Sequence, residues 1–128
     1  MQDKFKLEII TPDKPILKSE VSEVIIPSYE GQMGILKNHI PLITFLRPGI
    51  VRIISENEKV FFIEEGTVEF SNNNLLILTS TAREVSNISK TLLEELIKEA
   101  EKKMSSDKIT DKEKYLLSYK LATLRDIS

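Results

Sequence analysis

The chain has 128 residues and a mass of 14.6 kDa, about one domain of ordinary size. Lys plus Arg is 18 against 20 Asp plus Glu, a net charge of −2, which argues against a nucleic-acid binder. Hydrophobic residues at 41% and charged residues at 30% exclude a disordered or collagen-like chain, and the lack of cysteine excludes disulfides, thiolate metal sites and thiol nucleophiles. The opening MQDKFKLEII has no apolar core of a signal peptide and no Arg-rich transit pattern. Ile40–Leu46 and Leu75–Ala82, the longest uncharged apolar stretches, fall far short of the roughly 18 residues of a membrane span, so no direct membrane insertion is expected.

Phe5–Ile9 alternates apolar and charged residues, the period of a half-buried strand. Val21–Ile26 is rich in β-branched residues and is expected to stop at Pro27. Gly31-Gln32-Met33-Gly34 lacks the spacing of a phosphate loop and is expected to be a tight strand-to-strand turn, with glycine supplying positive φ. Pro48-Gly49 forms a turn pair before a strand at Ile50–Ile54. Val60–Ile63 and Thr67–Phe70 flank Glu64-Glu65-Gly66, and Asn72-Asn73-Asn74 is a turn signal before Leu75–Leu78. Short strands at spacings of about 8–12 residues predict a sandwich or barrel.

After Asn87 there is neither glycine nor proline. Ser89 caps a predicted helix whose Leu92, Leu93, Leu96, Ile97, Ala100 and Met104 form one face, with Glu94–Lys98 and Glu99–Lys103 as i,i+4 pairs. Thr110–Glu113 has the form of a capping box, and the helix it opens carries Tyr115, Leu117, Leu121 and Leu124. Residues 1–86 hold 9 basic and 12 acidic groups; residues 87–128 hold 9 and 8. The predicted fold is α+β: a flattened antiparallel β-sandwich over 1–86, then an antiparallel α-helical hairpin over 87–128.

Chemistry is sparse. His39 is the one histidine, and no second metal ligand of the usual zinc spacing accompanies it. Adjacent carboxylates at Glu64 and Glu65 point to opposite faces of a strand and do not converge. Neither a nucleophile elbow nor a phosphate loop is present. Neither metal nor cofactor is expected, and an interaction module is the function class these residues fit.

The run from Tyr29 to Thr44, with Glu30, Gly31-x-x-Gly34-Ile35 and His39-x-Pro41-Leu42, resembles the signature of the ε subunit of bacterial and plastid F-type ATP synthases. Pro48-Gly49 with Ile53, Leu75–Ala82 and Leu121–Arg125 extend the resemblance, in order, over nearly the whole chain. The resemblance implies a non-catalytic rotor subunit that joins the γ subunit to the membrane c-ring, with a hairpin that regulates ATP hydrolysis by extending into the α/β catalytic head. It implies c-ring contacts at Thr11, Glu30, Gly31, Gln32 and Gly34, and γ contacts at His39 and Thr44. If the second helix inserts into the head, Lys112, Lys114, Lys120 and Arg125 are expected to meet acidic surface there, the alternative being an ordinary solvated helix face. Members that sense nucleotide carry Ile or Leu followed by Asp-x-x-Arg-Ala at the start of the first hairpin helix. Here those positions are Ser89, Leu92 and Leu93, and further arginine positions fall near Tyr119 and Thr123, so nucleotide binding is not expected. The implied location is the periphery of the bacterial inner membrane, on its cytoplasmic face, or alternatively the stromal face of the thylakoid.

Overall fold

A computed structural model describes residues 3–128. Its strands are β1 (Phe5–Ile10), β2 (Pro15–Val21), β3 (Glu23–Ser28), β4 (Gly31–Leu36), β5 (Leu42–Leu46), β6 (Gly49–Ile54), β7 (Glu58–Ile63), β8 (Gly66–Ser71), β9 (Asn74–Thr79) and β10 (Ala82–Glu84). A 3₁₀ turn (Val85–Asn87) leads to α1 (Lys90–Met104) and α2 (Asp111–Ile127). The strand order β10-β7-β6-β3-β5-β8-β9-β1-β2, with β4 on the free side of β3, bends at a single pair, Ser28–Leu46. The inner faces of the two halves then close on one core that includes Leu7, Ile9, Val24, Ile26, Ile35, Val51, Ile53, Phe61, Val68, Phe70 and Ile77. This is the expected sandwich.

One pair departs from the antiparallel expectation: β1 runs parallel to β9, Leu7 beside Leu75 and Ile9 beside Ile77. Hairpins force antiparallel neighbours only where strands are consecutive. β1 and β9 meet by closure of the sheet across most of the domain, so no short turn dictates their direction.

The expected stop at Pro27 also fails, because Pro27 lies inside β3. Ser28 and Gly31 close the two-residue connection Tyr29-Glu30, so Pro27, opposite Gln32, needs no amide hydrogen toward β4. On its other side, β3 pairs with β6 only through Glu23–Ile25 and with β5 only at Ser28. Proline occupies the gap where the strand changes neighbours, the position that loses nothing by lacking a donor. The break instead comes at Ser22, between β2 and β3.

The Gly31–Gly34 turn expectation is likewise corrected. The segment is strand β4, and the turn comes before it. Gly31 has φ +120°, a conformation that strains an L side chain. Gly34 is mid-strand, and a Cβ there would meet only the Glu23 carboxylate oxygen at 3.2 Å. The asparagine run does as expected: Asn72 and Asn73, at φ 50° and 58°, turn β8 into β9.

The hairpin forms with the predicted caps. The Ser89 hydroxyl accepts from the Leu92 amide at 3.1 Å. Thr110 and Glu113 make both halves of the capping box, each at 3.1 Å. Of the two expected i,i+4 pairs, the structure forms Glu99–Lys103, at 3.6 Å. Where the hairpin lies follows from β7. Phe61 and Ile63 point into the sandwich, and the alternation turns Phe62 outward, beside Ile50 of β6. Phe62 nonetheless has no exposure, because Leu93 of α1 and Leu124 of α2 close over it, with Ile88, Leu96, Ile97 and Ile127 around them. The hairpin is therefore folded down on the outer face of β6 and β7.

Two outcomes follow. In Gly66→Ala the new methyl would run into the Leu78 carbonyl oxygen and the Thr79 Cα, both backbone, so urea unfolding should show a loss of about 2–3 kcal/mol. Gly34→Ala meets only a flexible carboxylate and should change stability by less than about 0.5 kcal/mol. Equal effects would contradict the strand placement of Gly34. Phe62→Ala should cost about 3–5 kcal/mol, felt first by the hairpin: hydrogen exchange should accelerate in α1 and α2 before the Leu7 and Ile77 amides. Simultaneous loss of protection in both would mean that sandwich and hairpin share one core.

Candidate functional site: a bare sheet face and a tyrosine-lined end

The half of the sandwich away from the hairpin, β5-β8-β9-β1-β2, has an outer face that no other described element covers. Register aligns Phe45, Thr67, Leu78 and Ile10 in one row across four strands. The next row is Ile43, Glu69, Leu76 and Glu8. Ile43 is 78% exposed, Phe45 63% and Leu78 43%. Contiguous exposed apolar side chains on a sheet mark a surface that another body covers. Nothing local in the sequence separates Ile43 and Phe45 from core residues; only the register reveals them.

His39 and Thr44 lie near this face but do not form it. Asn38, at φ 67°, precedes His39, and its amide is held by the Asn73 side chain at 2.7 Å. The imidazole Nδ1 bonds to the Ile40 carbonyl at 2.8 Å, and the ring stands edge-on to Phe70. His39 thus braces the β4–β5 loop. Thr44 is opposite Val68, on the inward side of β5, while Ile43 and Phe45 flank it on the outward side.

At one end of the sandwich the register Ser28–Leu46–Gly66–Thr79 puts the Tyr29-Glu30 turn and Thr11 on the same rim. Glu30 and Gln32 are exposed there, and Gly31 is half-buried. Thr11 is nearly buried, its hydroxyl donating to the Lys14 carbonyl at 3.0 Å. Gly34 stands three residues further along β4 and does not belong to this end. Four of the five expected c-ring residues therefore lie along one rim, Glu30, Gly31 and Gln32 at the turn and Thr11 four strands away.

Beside the same turn, α2 rests on the sandwich. The Arg47 guanidinium lies 3.9 Å from the centre of the Tyr119 ring and donates to the Tyr115 hydroxyl and the Tyr29 carbonyl, each at 3.4 Å. Tyr29 and Tyr115 are 5.8 Å apart between ring centres, and Tyr115 and Tyr119 5.0 Å. Burial, then the negative charge of Glu65 and the neighbouring Tyr115, raise the Tyr29 phenol above its ordinary value, so it stays neutral. Lys120 pairs with Glu64 at 2.9 Å, largely shielded from water, and Arg125 ties α2 to α1 through Glu101 at 2.9 Å. Lys112 and Lys114 stand exposed at the start of α2.

An open cleft of about 480 Å³ separates α2 from β3, β6 and β7, lined by Arg47, Arg52, Tyr119, Thr123 and Asp126 among others. The Thr123 hydroxyl donates to the Tyr119 carbonyl at 2.8 Å. Ser89, Leu92 and Leu93 do not line the cleft; Ser89 is spent on the α1 cap and Leu93 on Phe62. Among the described residues, no cluster of three or more His, Asp or Glu could hold a metal ion.

Known proteins of the same build give this surface its context. The family model described as the ATP synthase, Delta/Epsilon chain, beta-sandwich domain matches residues 4–85. The ATP synthase epsilon chain of Pelagibacter ubique is 44% identical over 130 aligned residues, covering all of both chains. In fold, the chain resembles one in the Euglena gracilis mitochondrial ATP synthase (OSCP/F1/c-ring), with a TM-score of 0.75 at 23% identity over 95% of this chain and 78% of that one. It also resembles one in the central stalk/c-ring of Tetrahymena thermophila mitochondrial ATP synthase, with a TM-score of 0.70 at 19% identity over 98% and 95%. A sandwich with this strand order, a capped helical hairpin and a full-length relative at that identity place the chain in the ATP synthase epsilon-chain family.

Proposed function

We propose that this chain is the non-catalytic central-stalk subunit of an F-type ATP synthase, which passes rotation of the c-ring to the γ subunit and so to the catalytic head. The observation that carries this reading is the uncovered row Phe45–Thr67–Leu78–Ile10, with Ile43 beside it, on the face turned away from the hairpin. A body that only rotates with its neighbours needs two binding surfaces on a stiff frame, and close-packed interiors deform little. The bare face is the γ-docking surface, and the rim of Thr11, Glu30, Gly31 and Gln32 meets the polar loops of the c-ring. The single histidine is committed to a backbone bond and an aromatic contact, which supports a binding role over a catalytic one.

The hairpin, held here on β6 and β7, is the regulatory part. Extended, it would present Lys112, Lys114, Lys120 and Arg125 to the α/β head. Lys112 and Lys114 are exposed in the docked state, whereas Lys120 must first leave Glu64 and Arg125 must leave Glu101. Residues 1–86 and 87–128 act as separate units: the sandwich core holds no hairpin residue, and the second cluster, Phe62 with Leu93 and Leu124, is the contact between the two. Among the described residues no helix is long and apolar enough to cross a membrane. The subunit sits peripherally, on the cytoplasmic face of a bacterial inner membrane or, alternatively, the stromal face of a thylakoid.

The direct test is co-purification with γ. Ile43→Asp and Phe45→Asp should each weaken γ binding about tenfold or more while leaving the melting temperature of the free chain nearly unchanged, since both side chains already stand in water. Undiminished binding by both variants would remove γ from this face. Lys112→Glu with Lys114→Glu should relieve hairpin-dependent inhibition of ATP hydrolysis in the head complex, most visibly at low salt; unaltered inhibition would leave those lysines as a solvated face. Calorimetric titration with MgATP should give no saturable isotherm in the micromolar range. Leu92 supplies no donor for phosphate, and Leu93 is packed on Phe62. A micromolar isotherm would overturn that assignment.

A further inference from the structure

Arg47 touches both of the elements that the proposed function sets to work. Its own amide donates to the Pro27 carbonyl at 3.1 Å, and its guanidinium reaches the Tyr29 carbonyl on the exposed turn. The same guanidinium reaches the Tyr115 hydroxyl and covers the Tyr119 ring, both on α2. A second, independent link joins the turn to the helix, the Tyr29 ring against Tyr115. Apart from these, the turn is anchored by the backbone pairing of Ser28 with Gly31, by the Ser28 hydroxyl on the Gly31 carbonyl at 2.7 Å and by the Tyr29 amide on the Phe45 carbonyl at 3.3 Å. Tyr29 and Tyr115 are 40% and 38% exposed, so this junction lies outside the hydrophobic cluster that seats the hairpin.

We propose that Arg47 couples the two: docking of the hairpin and ordering of the Tyr29-Glu30 turn form one linked equilibrium, with Arg47 as the positioning residue. A planar guanidinium that stacks on one ring and donates both to a second ring's hydroxyl and to a backbone carbonyl is held only when both sides are present. Release of α2 removes two of its three partners, and the turn loses the Tyr115 ring as well. Coupling of this kind is reciprocal, so whatever binds the ordered turn favours the docked hairpin. This consequence rests on the reading that the turn faces the c-ring and that the hairpin moves.

The linkage is tested on the full chain by hydrogen exchange at the amides of Tyr29, Glu30 and Gly31. Leu93→Asp undocks the hairpin at the Phe62 cluster, away from Arg47, and Lys120→Glu undocks it by opposing Glu64. Faster exchange at the Leu93 and Leu124 amides, beside the seat on Phe62, reports release, and the Leu7 and Ile77 amides report an intact sandwich. Either undocking variant should speed exchange in the turn about fivefold or more. Arg47→Ala should do so to a smaller extent with the hairpin seated, because the Tyr29–Tyr115 contact remains; Arg47→Lys should restore part of that loss, and combining Arg47→Ala with Leu93→Asp should add nothing beyond Leu93→Asp alone. Turn exchange that ignores release, or effects that add fully in the double variant, would overturn the linkage. Binding of detergent-solubilised c-ring by Glu30→Ala and Gln32→Ala variants separates the two claims. If those variants bind normally while the exchange linkage holds, the linkage stands and the c-ring placement falls.

Discussion

The alternation of side chains along β7 divides this molecule. Phe61 and Ile63 close the sandwich, and the residue between them has nowhere to go but the outer surface. A phenylalanine left there would expose a large apolar ring to water. Leu93 and Leu124 cover it instead, and that contact decides where the hairpin rests. Burial of one aromatic side chain is worth about 1.5–3 kcal/mol, large beside the few tenths contributed by each exposed helix ion pair. The caps fix where the helices begin, and Phe62 and Ile50 give them a seat. The seat is a small cluster apart from the main core, which holds no hairpin residue.

The two outer faces are thus unequal by construction. One presents Ile50 and Phe62 and is covered by the chain's own helices. The other presents Ile43, Phe45, Leu78 and Ile10 and is covered by none of the described residues. A subunit with one face for itself, one for a partner and a rim of polar residues between suits a part that transmits force without chemistry. His39, which sequence resemblance places at the γ contact, serves that surface indirectly by holding the loop that leads into β5. The reciprocal amides of Asn38 and Asn73 pin the same loop to the β8–β9 turn.

Much of this was legible from the residues. Alternating patterns, the asparagine turn, both helix caps and the change of character near residue 87 all correspond to elements in the structure. What escaped did so for definite reasons. β2 is an edge strand, largely exposed along its length, so its sequence shows no apolar period. β5 is apolar on its outward face too, and a strand meant to meet a partner does not alternate. Val60–Ile63 reads as a continuous apolar run because β7 is buried on both faces, the signature usually associated with covered sheets. Pro27 looked like a stop because its neighbours in space, which change there, are not visible along the chain. The Arg47 junction joins positions 29, 47, 115 and 119, a set that no local pattern connects.

The central claim is that the bare face, and not the hairpin-bearing face, receives the γ subunit. Hydrogen exchange of this chain, free and in complex with γ, measures it residue by residue. New protection is expected along β5, β8 and β9, centred on Ile43, Phe45 and Leu78, with β6, β7 and the helices unchanged. Protection confined to α1, α2 and the outer side of β6 and β7, with the Ile43–Phe45 segment exchanging as in the free chain, would contradict it.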